Sequence, residues 1–346
     1  METSWLWHQA IWSQLYQQYQ IQRLPHALLF AGASGLGKYR FATRFAQTLL
    51  CRQVVDAKPC QHCRDCCLVA AATHPAFFYL APEKDSKTIK IEQIRGMVHQ
   101  LQQTVTATYK VVIINPADSL PIAAANALLK TLEEPTERTL FMLITARAGG
   151  LLPTIRSRCQ WVRFMVPKPD LAKRWLEQQL LTQTIDIKGD RALFVDELYD
   201  FAAAAPLQAL AYVQTGKFHF YQDLLESIPA LVNKKVDPIQ LAERYLKADL
   251  SFLLYALMYL IRRIIGCKLQ SPTEKTRAST SLTLLANQLS FDFLFSYFDH
   301  LVEVQRQQTK VALNPQLLLE DLFCHWPLQQ RITAQTIGFT KDPLRC

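Results

Sequence analysis

No uninterrupted apolar run of this sequence is long enough to cross a bilayer. The longest uninterrupted run, 252–261, is about half the length a membrane-spanning helix requires and ends at Arg262 and Arg263, so a buried helix is expected there. A secretory leader is missing too: METSWLWHQAIWSQLYQQY has an acid at its second position and tryptophans at helical spacing, with neither the basic start nor the apolar middle of a signal peptide. No export is expected, and the nine cysteines, an odd number, are expected to be reduced and free for metal binding or packing. Nor is there a charged tail. The formal charge of +9 is spread over 346 residues, which suits an anionic partner such as nucleic acid without locating its site. Half the chain is apolar, which assures a sizeable core and suggests two or three domains.

Two further absences fall inside a motif. Residues 32–39 read GASGLGKY, between the apolar run Ala27–Ala31 and a helical pattern beginning near Arg40. Strand, glycine loop and helix in that order make a phosphate cradle. Gly32, Gly35 and Gly37 let backbone N–H groups turn inward, the helix start adds partial positive charge, and Lys38 can reach terminal phosphates. A working loop of this kind has Ser or Thr after the lysine, whose short hydroxyl coordinates the magnesium of the nucleotide. Here that residue is Tyr39, whose phenol oxygen sits too far out on a rigid ring to replace it. The second absence follows the β-branched run KVVIIN, 110–115, a central parallel strand by composition. ATPases end such a strand in an aspartate for magnesium and often a glutamate that orients water. Asn115 and Pro116 stand there instead. Hydrolysis is expected to be lost and nucleotide binding weak or absent. An alternative keeps Lys38 and recruits magnesium through Asp118, as an independent ATPase.

What the sequence does have is a cysteine module. Cys51, Cys60, Cys63 and Cys66 are spaced C-x8-C-x2-C-x2-C. Four thiolates at about 2.3 Å satisfy tetrahedral zinc, and a full set of sulfurs leaves no vacancy for a reacting water. Structural Zn2+ is expected, with Cys67, His62 and His74 as substitutes for one ligand.

Elsewhere the pattern is coarser. Trp5, Trp12, Leu15, Tyr16 and Tyr19 form one face of a first helix, and Phe41, Phe45, Leu49 and Leu50 line the helix after the loop. A short strand is expected at 88–91 and a buried strand at 140–145. Between them runs a helix capped by Ser119, with Pro121 in its first turn and Pro135 ending it. Helices at 239–265, 291–304 and 317–326 follow, with no constellation of catalytic residues. A third reading of the whole is a zinc-stabilised DNA-binding module with no motor role.

NALLKTLEEP at 126–135, LPTIRSRC at 152–159, the cysteine module after a P-loop helix, and the overall length together resemble the δ′ family of bacterial DNA polymerase III clamp-loader subunits. The resemblance covers nearly all of the chain, and Ser157, Arg158 and Cys159 are its most specific element. It implies an α/β P-loop AAA+ domain with a parallel sheet and zinc module over 1–166, a small helical lid domain over 167–212 and an all-α collar over 213–346. It implies a cytoplasmic hetero-oligomer with γ or τ and δ subunits, acting on the sliding clamp and primed DNA, with no membrane. In that family the arginine at Arg158 acts in trans on ATP held by a neighbour, while the subunit itself hydrolyses nothing. ATPase members of the loader share the SRC and LLKTLEEP segments; Tyr39, Asn115 and Pro116 depart from them as a δ′ subunit does. A third departure is Leu207, with Gln208 beside it, where the ATPase relatives place an arginine that senses the γ-phosphate.

Overall fold

In a computed structural model of the chain, residues 6–84, 86–103, 107–183, 190–269, 280–308 and 314–335 are described. The chain divides into two compact units, 1–211 and 212–346. The first helix, α1 (Gln9–Gln20), follows a short 3-10 turn. Then come β1 (Ala27–Ala31), α2 (Lys38–Leu50), α3 (Arg64–Ala70), β2 (Phe77–Leu80), α4 (Ile91–Leu101), β3 (Lys110–Ile114), α5 (Ile122–Glu133), β4 (Thr139–Thr145), α6 (Pro153–Arg156) and β5 (Gln160–Arg163). All strand pairs are parallel, in the order β2-β3-β4-β1-β5.

The three central strands are apolar on both faces because helices cover both. From β1, Leu28 and Phe30 face one core with Phe41, Phe45 and Leu49 of α2; Ala27 and Leu29 face the other with Ile94 and Met97 of α4 and Leu128 and Leu132 of α5. Alternation repeats in β3, where Val111 and Ile113 join the first core and Val112 and Ile114 the second. A parallel sheet gathers its strand ends on one edge. Gly32 after β1, Asn115 after β3, Thr145 ending β4 and Phe164 after β5 share that edge, where open α/β sheets place ligands.

Several local expectations are corrected. Residues 88–90 form no strand: the Ser86 hydroxyl donates to the Thr88 carbonyl at 2.8 Å, Ile89 N donates to Ser119 O at 3.1 Å, and Lys90 is already the cap of α4. A local side-chain bond has replaced ladder pairing. Ser119 does not cap α5; its hydroxyl donates to Pro116 O at 2.7 Å, within a 3-10 turn, and Pro121 occupies the cap position. The helix after the loop starts at Lys38 rather than Arg40. Trp5 lies outside the described residues.

The first unit continues with α7 (Pro169–Thr182), α8 (Arg191–Phe201) and the start of α9 (Pro206–Gln214). The second contains α10 (Lys217–Val232), α11 (Pro238–Tyr245), α12 (Leu250–Leu269), α13 (Thr280–Gln288), α14 (Phe291–Gln308) and α15 (Pro315–Gln335). The single helix expected at 239–265 is two, because the Asp249 carboxylate accepts from Ser251 N at 3.0 Å and Phe252 N at 3.4 Å and starts α12 afresh. By length and composition α12 passes as a membrane span, yet 56% of its apolar window is buried inside the helical unit.

His8, before α1, is buried with its ring 4.8 Å from Phe164 and 5.6 Å from Phe41. Burial, aided by the charge of Lys38, lowers its pKa from 6.5 to about 4. The unfolded chain takes this proton near pH 6.5 and the folded chain only near pH 4, so stability is lost as pH falls through that window. The expected loss is about 2 kcal/mol between pH 7 and pH 5. Urea unfolding of wild type and His8→Leu at both values checks it: the difference between the two proteins isolates the histidine from the cysteines, and equal pH slopes would refute the assignment.

Candidate functional site

The glycine loop is stitched to three neighbouring segments. Gly32 N donates to Thr145 O at 3.3 Å, Phe164 N donates to Ala31 O at 2.8 Å, and Leu207 N, in the first turn of α9, donates to Gly35 O at 3.2 Å. A Cβ on Gly32 would lie 2.4 Å from Phe164 O, and one on Gly35, at φ +75°, would lie 2.4 Å from Gln208 Cβ and 2.8 Å from Gln208 N. Gly37 takes φ +88° at the cap of α2, a left-handed conformation that glycine adopts at little cost.

Lys38 turns back on this loop. Its ammonium donates to Gly32 O and Ala33 O at 2.6 Å each, and the residue is only 6% exposed. Burial lowers its pKa to about 8, against the opposing pull of Asp118, so it remains mainly protonated at neutral pH. The cation is satisfied by the loop it would present to a phosphate. Tyr39 is 39% exposed and packs its ring 5.1 Å from that of Tyr79 at the edge strand β2, so no short hydroxyl follows Lys38. Asp118 is engaged: its carboxylate accepts from the Thr145 hydroxyl at 2.9 Å and lies 3.7 Å from Arg147 Nε. That occupancy weighs against Asp118 as a magnesium ligand.

Arg158 sits between two anchors. Ser157 donates to Thr154 O at 3.1 Å on one side, and Cys159 on the other is buried beside Ile155 and Leu128, its thiol pushed up to about 12 by burial. A thiol so shifted is inert, so its part is packing. The Arg158 side chain is one-third exposed, pairs with Glu133 at the end of α5 and donates to Thr154 O at 2.9 Å. It follows the short helix α6, which sequence periodicity does not reveal. One backbone carbonyl, the Ser157 hydroxyl and one carboxylate thus hold a planar guanidinium at the surface.

The four cysteines converge. Cys51 Sγ lies 3.5 Å from Cys60 Sγ and 3.9 Å from Cys63 Sγ, Cys60 Sγ lies 4.0 Å from Cys66 Sγ, and all four sulfurs fall within 4.8 Å of one another. Sulfurs at about 2.3 Å around a tetrahedral ion are separated by about 3.8 Å, so the donor set fits zinc with little movement. Backbone amides already point at the sulfurs: Cys60 N to Cys51 at 3.4 Å, Cys63 N to Cys60 at 3.3 Å and Cys66 N to Cys63 at 3.4 Å. Burial opposes ionisation of Cys63, but the amides of Cys66 and Arg52 outweigh it and lower its pKa to about 6, whereas burial raises Cys66 and Cys51. The substitutes stand elsewhere. Cys67 Sγ turns to the Gln61 and His62 carbonyls, and His74 is held by Ala76 N at 3.0 Å and Asp65 at 3.5 Å. The module is pinned to α1 by Trp12 Nε1, which donates to Ala57 O at 3.0 Å.

Parallel sheet, glycine loop and flanking helices define an α/β P-loop chain. Residues 7–168 match the family model described as DNA polymerase III, delta subunit, and 217–327 match its C-terminal counterpart. DNA polymerase III subunit δ′ of Pseudomonas aeruginosa is 32% identical over 326 residues, covering 92% of this chain and 96% of that protein. The Escherichia coli δ′ subunit is 31% identical over 331 residues, covering 91% and 93%. The τ subunit of Bacillus subtilis is 27% identical over 328 residues, covering 86% of this chain and 56% of its own. The chain belongs to the DNA polymerase III δ′ family of clamp-loader subunits.

Proposed function

We propose that this chain is a non-hydrolysing δ′ subunit that assembles with γ or τ and δ, helps load the sliding clamp onto primed DNA, and lends Arg158 to the ATP site of a neighbouring subunit. The observation that carries the silent loop is Lys38, whose ammonium is spent on Gly32 O and Ala33 O beside a tyrosine where a metal-binding hydroxyl would stand. Asn115 and Pro116 in place of carboxylates, and Leu207 in place of a sensing arginine, support the same reading. Zn2+ is assigned to Cys51, Cys60, Cys63 and Cys66, where it would act as a structural clamp. The division into a P-loop domain over 1–166, a lid over 167–212 and a collar over 213–346 belongs to this proposal, as does a cytoplasmic location.

The isolated protein is expected to release no phosphate from ATP above background, and Lys38→Ala is expected to change nothing. Turnover that disappears in Lys38→Ala would mean an independent ATPase. Mixing the chain with purified γ or τ and δ supplies the positive arm: a stable complex that loads clamps is expected, and failure to assemble overturns the assignment.

A further inference from the structure

A second cluster of metal-binding side chains lies in the helical unit, outside everything assigned above. His300 of α14 and Asp321 and His325 of α15 bring their ligand atoms within 4.8 Å of one another. His300 Nε2 lies 3.0 Å from Asp321 Oδ2, His325 Nδ1 lies 3.5 Å from Asp321 Oδ1, and the two imidazoles stack with centroids 4.5 Å apart and planes 19° from parallel. Asp321 and His325 are four residues apart on one helix, the spacing that places two ligands on one face. Their partner helix is fixed close by: Tyr297 Oη donates to Leu322 O at 3.0 Å, and the ring of buried Trp326 lies 5.1 Å from that of Tyr297. The frame for the three ligands is therefore built by the core.

We infer that His300, Asp321 and His325 form a binding site for a divalent transition-metal ion of the zinc class. Three N and O ligands at about 2.0–2.2 Å around a tetrahedral ion are separated by about 3.3–3.5 Å; the three ligand atoms here lie within 4.8 Å of one another, so side-chain rotations close the set on an ion. Two imidazoles with one carboxylate select Zn2+, Co2+ or Ni2+ over Mg2+ and Ca2+, which prefer oxygen. All three residues are partly exposed, so the fourth position opens to water and the ion exchanges with solvent. To bind through Nδ1, His325 gives up its 3.1 Å contact with Asp321 O; the ion then joins α14 to α15.

The test uses the full chain at equilibrium with a fixed concentration of free Zn2+, with bound metal per chain measured for wild type, His300→Gln, His325→Gln and Asp321→Asn. Wild type is expected to bind one equivalent more than each variant, so the difference stands whether or not the four cysteines load. Co2+ in place of Zn2+ is expected to give, for this extra equivalent, absorption without the thiolate charge-transfer band. Hydrogen exchange in α14 and α15 is expected to slow on adding Zn2+ in wild type only. The inference is overturned if wild type and the histidine variants bind equal metal, or if the extra equivalent persists in both histidine variants and is lost in Cys324→Ser.

Discussion

Arg158→Ala is expected to leave folding, metal content and assembly intact while lowering the DNA-stimulated ATPase of the reconstituted loader in part and clamp loading by more. The side chain contributes little to the fold, since its partner Glu133 is half exposed and pairs of that kind are worth about 0–1 kcal/mol. Its value lies elsewhere: arginines that reach a neighbour's transferring phosphate are worth roughly 10³–10⁵ in rate. In the proposed assembly only one of several ATP sites faces this subunit, so total hydrolysis falls by a fraction. Loading, which requires the sites to act together, falls further. Arg158→Lys is expected to restore little, because an ammonium cannot make the two parallel bonds of a guanidinium. Wild-type rates from both variants, in complexes assembled with wild-type γ or τ and δ, would show that Arg158 is an ordinary surface charge.

Loss of the metal is expected to produce the largest structural effect. One zinc per chain is expected in protein purified without added metal, and almost none in Cys51→Ser or Cys66→Ser. Structural zinc supplies about 10–16 kcal/mol of apparent binding free energy in small modules, all of it available to folding where no site exists in the unfolded chain. A strong chelator should therefore open residues 51–70 first, visible as proteolytic cleavage there. The loss should reach α1, whose Trp12 is bonded to Ala57 within the module. Well-folded wild type with metal content near zero would refute the assignment.

Legibility from sequence followed the strength of the local signal. KVVIIN and ALLFA read as buried parallel strands because the helices on both faces demand continuous apolar runs, and the sheet places both at its centre. Phe77–Leu80 was missed, although its four apolar residues between prolines 75 and 82 suit an edge strand. Gln160–Arg163 gave less to find: its residues are mostly exposed, so burial imposed no pattern. The cysteine spacing located a cluster with substitutes open for one ligand; the structure brings Cys51, Cys60, Cys63 and Cys66 together, while Cys67 and His74 turn to other partners. Contact between α9 and the loop rests on residues more than 170 positions apart in the sequence, which no local pattern encodes. The same holds for His300 and Asp321, which meet only because their helices pack.

The fit of the loop changes what its glycines mean. With an oxygen of Phe164 crowding one and a carbon of Gln208 crowding another, these two positions exclude any side chain whether or not a nucleotide ever arrives. Selection for a tight joint between strand, loop and α9 is enough to keep them, and the lysine, hydrogen-bonded to two carbonyls of that joint, is kept on the same account. A motif can thus outlive its ligand. In this chain the glycine signature marks an architectural seam, so that signature taken alone does not identify an ATPase.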